Sequence, residues 1–144
     1  MRRYHLVVGL LALALFLGTG QYMDVFLGHL RNMADGPRLL YRTRHIFILL
    51  TALIHLVLAT YVQRGGSGTA RTVRWIGSAL VTSATALFLA GFIYEPLRGD
   101  LRTPFSLWAT YAIVAGVGLH VVAGFKSIAA PEPSTVARQP TPRQ

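Results

Sequence analysis

The chain has 144 residues, of which 53% are apolar and 13% charged, with 14 Lys and Arg, five Asp and Glu, and no cysteine. Soluble domains carry about 25% charged residues, so roughly half the usual solvating surface is missing. The absence of cysteine excludes disulfides, thiolate metal sites, iron–sulfur clusters and thiol catalysis, and the net charge of +9 lies in small groups beside apolar runs, where it suits lipid headgroups better than nucleic acid.

The first apolar run, Leu6 to Gly20, follows Arg2 and Arg3. A basic start and about 15 apolar residues fit a membrane span or the core of a signal peptide, with Gly18 and Gly20 as small residues before a cleavage point. Tyr22 and Val25-Phe26-Leu27 let the helix continue past Gln21, so a retained span over about 4–23 is expected. In the connection that follows, Asp24 is a helix N-cap candidate, and Phe26, Leu30 and Met33 recur at helical spacing. A short helix lying in the membrane interface is the expectation. Asp35-Gly36-Pro37 reads as a turn.

Arg42, Arg44 and His45 open a second span, about 44–62, that Tyr61 closes. At 1.5 Å per residue its apolar stretch of about 18 residues approaches the roughly 30 Å of a hydrocarbon core. Gly65-Gly66-Ser67-Gly68 lacks the lysine and spacing of a phosphate-binding loop and reads as a flexible hairpin. Trp75 and Tyr94 bracket a third span, about 73–94, as interfacial anchors. Thr103-Pro104 supplies an N-cap and a first-turn proline for a fourth, about 104–125. The sequence therefore specifies an all-α protein with one domain over 1–126, an antiparallel four-helix membrane bundle, and a proline-rich, disordered tail over 127–144. With four spans, the side holding both termini carries eight Lys and Arg against six on the other. The positive-inside rule then puts both termini in the cytoplasm.

Helices in lipid associate through small and polar residues. Ala112, Gly116, His120 and Gly124 are four apart on the fourth span; Gly77, Ala84 and Gly91 are seven apart on the third, beside Ser78, Thr82 and Thr85. Ala52, His55 and Ala59 share a face of the second. These stripes predict a compact bundle packed at Gly77, Gly91, Gly116 and Gly124.

Two constellations carry what chemistry there is. His55 and His120 lie about 10 and 8 Å from the cytoplasmic ends of their helices, so their imidazoles share a level. Facing histidines on separate helices are how a b-type cytochrome holds haem through both axial positions, with Gly116 or Gly124 making room for the macrocycle. The plainer reading has each histidine hydrogen-bonded across the bundle, with His5 as a third polar partner. The same three histidines are the only set from which a zinc site would be built. At the other surface Glu95 ends the third span where Arg44 and His45 begin the second, so Glu95 pairs with one of them. The link is either a staple between helices or a proton-carrying site. No nucleophile–base–acid set is present, and the aspartates nearest a span lie away from the buried histidines.

The pattern G-x-G-Q-Y-M, then R-T-R-H-I-F-I-L-L, then a third span ending in F-I-Y-E-P resembles small four-span bacterial inner-membrane proteins of uncharacterised function, over roughly residues 18 to 120. That resemblance implies the topology and draws attention to Gln21, Arg42, Arg44, His45 and Glu95; it brings no activity. The expected role is a non-enzymatic accessory, assembly or small-ligand-binding component without a cofactor, partnered by lipid, another membrane protein or a second copy. A haem-binding electron-transfer subunit using His55 and His120 and a proton-coupled carrier using Glu95 are the alternatives.

Overall fold

The computed structural model describes residues 1–61, 68–98 and 102–128, and the expected Gly-rich hairpin (except Gly68) and proline-rich tail lie outside these, apart from 127–128. Among the described residues the structure is all-helical: α1 Arg2–Val25, α2 Asp35–Tyr61, α3 Gly68–Tyr94 and α4 Pro104–Ile128, with three-residue 3-10 turns at Gly28–Leu30 and Pro96–Arg98. All four helices are long and apolar enough to cross a membrane, the make-up of a multi-pass membrane protein. α2 and α3, at 27 residues each, extend about 40 Å at 1.5 Å per residue, longer than a hydrocarbon core of about 30 Å, so their ends reach headgroup depth.

The helices alternate in direction. His5 near the start of α1 meets His55 near the end of α2 and Ser78 in the first turns of α3, and Ser78 meets His120 near the end of α4. Large side chains such as Leu11, Val57, Trp108 and Val114 face outward and are more than half exposed. So much apolar surface on a single chain is the pattern of an outer face bathed in lipid. Inside, Tyr41, Ile48, Ala84, Phe88, Phe92 and Ala109 form the apolar core. Tyr41 packs edge-on against Phe92 at 5.1 Å and Phe47 packs on Phe88 at 4.9 Å between ring centres.

The connection between α1 and α2 departs from the sequence expectation. Asp24 lies inside the last turn of α1, and no interfacial helix follows it. Gly28, His29 and Leu30 instead take left-handed backbone angles, with φ of 53°, 56° and 60°. Such angles cost a non-glycine residue about 1–2 kcal/mol. The turn drives Leu30 inward until it is 3% exposed within the core, whereas a helix would have held it beside Phe26 and Met33 on one surface face. His29 pairs with Asp24, and Arg38 donates to the Met33 carbonyl at 2.6 Å. Asp35-Gly36-Pro37 is not a separate turn but the first turn of α2. Proline is tolerated there because the first helical N–H groups have no intrahelical partner.

Candidate functional site

Two buried polar layers sit toward opposite ends of the bundle. The first lies at the end holding the N-termini of α1 and α3. Arg2–Val25 winds as one apolar helix, which carries His5 to zero exposure against α2. Its Nδ1 lies 2.9 Å from Nδ1 of His55, itself fully buried. On its other side His5 Nε2 lies 3.0 Å from Ser78 Oγ, which is 3.2 Å from His120 Nε2. Ser78 donates its own hydrogen to the Arg74 carbonyl at 2.7 Å, one turn back on α3. A second hydroxyl line runs beside it: Thr82 donates to the Ser78 carbonyl at 2.9 Å and accepts from Tyr4 at 2.7 Å.

His5, His55 and His120 thus converge, but in a row, with His5 and Ser78 between the other two. Ring centres are 5.2 Å apart for His5 and His55 and 5.5 Å for His5 and His120. The gap that a macrocycle would need between His55 and His120 is filled by the His5 ring and the Ser78 hydroxyl. The glycines do not open one. A Cβ on Gly77 would lie 2.8 Å from the Gly116 carbonyl oxygen and 3.0 Å from His120 Cδ2. Gly116 is therefore spent on helix contact. Gly124, expected in the packing stripe, would place a Cβ with nothing within 4 Å. Among the described residues no group of three or more His, Asp or Glu is arranged to hold a metal ion.

The second layer is built on Glu95, fully buried at the end of α3. Its Oε2 accepts from Arg44 Nε at 2.7 Å and from Ser106 Oγ at 2.7 Å, and its Oε1 accepts from the Ser106 backbone N–H at 3.0 Å. Ser106 is the third residue of α4, where the N–H lacks an intrahelical partner and the helix dipole favours an anion. One carboxylate therefore neutralises a guanidinium on α2 and caps α4. Gly91 makes the space, because a Cβ there would lie 3.0 Å from Ser106 Oγ and 3.1 Å from Glu95 Oε2. Arg44 also donates to Thr43 Oγ1 at 2.7 Å.

His45 goes elsewhere. It stacks on Phe16 of α1, centres 4.1 Å apart and planes at 18°, and its Nδ1 lies 3.0 Å from Thr19 Oγ1. Thr19 spends its hydrogen on the Phe16 carbonyl, so His45 must donate. Gly20 seats the ring, since a Cβ there would come to 3.2 Å of Cε1. Thr19→Val removes the acceptor and leaves a half-buried N–H unpaired, a loss of about 1 kcal/mol. Thermal unfolding in detergent should show it, and adding His45→Phe, which keeps the stack without the N–H, should recover most of it. Arg42 and Gln21 are exposed and enter neither layer.

Sequence reasoning did not find Ser106, Thr19 or Tyr4, and placed Ser78 only on a polar line. Ser106 had one signal, its place two residues into the helix that Thr103-Pro104 starts. No family model, curated protein or solved structure matches the chain.

Proposed function

We propose that this is a multi-pass protein of the bacterial inner membrane, both termini cytoplasmic, acting as a non-enzymatic accessory, assembly or small-ligand-binding component. Its partners are then the bilayer and a second membrane protein or another copy of itself, and no nucleic acid. The observation that supports this reading is the division of the interior. The imidazole layer and the Glu95 layer are separated along α3 by the 17 residue steps from Ser78 to Glu95, about 25 Å at helical rise. Between them lie Ile48, Ala52, Ala84 and Phe88, all at most 1% exposed. The hydroxyls at that depth, Thr51 and Thr85, bond back to carbonyls of their own helices. A plug of buried apolar side chains and self-bonded hydroxyls offers neither a proton nor an ion a polar route from one layer to the other.

The two alternatives fit less well. A carrier cycling a proton on Glu95 would have to release Arg44 and uncap α4 at each turnover. A haem between His55 and His120 would have to displace His5 and Ser78 and part the Gly77–Gly116 contact. Reconstitution tests all three readings. Proteoliposomes carrying the protein should dissipate an imposed pH gradient no faster than empty vesicles, and the purified protein should show no Soret band. Proton flux abolished by Glu95→Gln would overturn the proposal in favour of a carrier. A Soret band lost in His55→Ala and His120→Ala would overturn it in favour of haem.

A further inference from the structure

The imidazole layer has a definite proton inventory. Ser78 gives its only hydrogen to the Arg74 carbonyl. Its oxygen can then only accept, so the contacts from His5 Nε2 and His120 Nε2 both require an N–H at those atoms. A neutral imidazole has one N–H. His5 has spent its own on Ser78, its Nδ1 is a bare lone pair, and the 2.9 Å contact with His55 requires the hydrogen on His55 Nδ1. His55, having donated from Nδ1, is left with a bare Nε2. That nitrogen is buried and has no hydrogen-bond partner among the described residues. The bonds joining the three rings to Ser78 and to each other thus use the single N–H of each neutral imidazole, which leaves two bare ring nitrogens, Nδ1 of His120 and the buried Nε2 of His55. The backbone at Val81 lies beside the same ring from α3.

We propose that His5 and His55 form a binding site for a single proton, taken up at Nε2 of His55 and shared between the rings across their 2.9 Å bond. A proton at Nε2 disturbs no existing bond and turns the Nδ1–H···Nδ1 contact into a charge-assisted one. A second proton on His5 would set two N–H groups against each other at the same distance, so the pair holds one and not two. The charged and titratable groups facing the pair are Tyr4 and the amino terminus with α1 and His120 on α4, and His120 is itself faced by Arg74 on α3. The inventory also argues against a ready metal seat, because both Nε2 atoms that meet at Ser78 carry hydrogen. The site goes beyond the functional reading above and does not depend on it, since a proton held here still faces the apolar plug.

The test is ¹⁵N NMR of histidine-labelled, full-length protein in nanodiscs, followed over the pH range in which it stays folded. Expected at the alkaline end are Nε2–H on His5 and Nδ1–H on His55. On acidification both rings should shift in one common transition that accounts for one proton. Two separate transitions, no transition in either ring, or a His55 that carries its hydrogen on Nε2 at the alkaline end would each overturn the proposal. So would stoichiometric displacement of the Nδ1 hydrogen by added Zn²⁺ at neutral pH. Ser78→Ala should let both His5 tautomers populate and split the common transition; an unchanged spectrum in a folded Ser78→Ala protein counts against the proposal. The wild-type measurement decides the matter if that variant does not fold.

Discussion

Replacing Arg44 with Met should destabilise the bundle by about 3 kcal/mol, the low end of the cost of removing one partner from a buried ion pair. Arg44 is 6% exposed and Glu95 not at all, and the loss comes from what the substitution leaves behind. The carboxylate keeps both bonds to Ser106 but loses the only guanidinium bonded to it among the described residues. It must then hold a charge without a counterion or take up a proton. Glu95→Gln should cost less, because the amide oxygen still accepts from the Ser106 N–H and caps α4. What it leaves unpaired is the guanidinium, which also has Thr43. The two losses should not add. In Arg44→Met with Glu95→Gln no charge is buried, so the double variant should be more stable than Arg44→Met alone, which requires a coupling, of the order of 1–3 kcal/mol, larger than the loss in Glu95→Gln itself. Reversible unfolding of the four proteins in mixed micelles measures the cycle. Additive single losses would mean that Arg44 and Glu95 contribute separately, and that capping of α4, not charge neutralisation, is what the carboxylate does.

The spans were legible because a run of about twenty apolar residues has few other readings. Their limits were less so. α2 starts at Asp35 and α3 at Gly68, well before the apolar runs, because a helix continues through polar residues once its middle is fixed by packing. The pairing of Glu95 narrowed to Arg44 or His45, and the choice between them was in the sequence too. Arg44, Ile48, Thr51, Ala52, His55 and Ala59 recur at three- and four-residue steps and are the buried line of α2, while His45 is turned about 100° away. The failure of Gly124 has a similar cause. A four-residue step overshoots a turn by about 40°, so a stripe that meets α3 at Gly116 has rotated about 80° away by Gly124. The row formed by His55, His5, Ser78 and His120 was not legible, since matched depths say that side chains can meet but not which of them stands in the middle. Nor was the turn at Leu30, where a long-range gain in burial overrides a local helical pattern.

Gly116→Ala should be a damaging change despite its small size. Its added methyl would lie 2.8 Å from the Gly77 carbonyl oxygen and 2.8 Å from Val81 Cγ2, and 3.2 Å from Leu80 Cβ. Two of these three neighbours are side-chain atoms close to the backbone of α3, and the first is backbone itself. A rotamer change cannot clear all three, so α3 and α4 must move apart. Overpacking of this kind costs about 1–3 kcal/mol, and in lipid no hydrophobic term between helices compensates it, because close packing is itself what holds them. The damage should reach the imidazole row. Gly77, whose own Cβ position is 3.0 Å from His120 Cδ2, sits beside Ser78, and parting the helices stretches the 3.2 Å contact from Ser78 to His120. The ¹⁵N signal of His120 should therefore move while those of His5 and His55, held on α1 and α2, move less. Gly118→Ala is the matched control. It lies two residues away on the same helix with nothing within 4 Å of its Cβ position, and it should unfold at the wild-type midpoint or slightly above it, since alanine favours helix over glycine by up to about 1 kcal/mol. Equal effects at the two positions would mean that α4 does not pack on α3 through Gly116, and the row of imidazoles would lose the helix contact that sets its spacing.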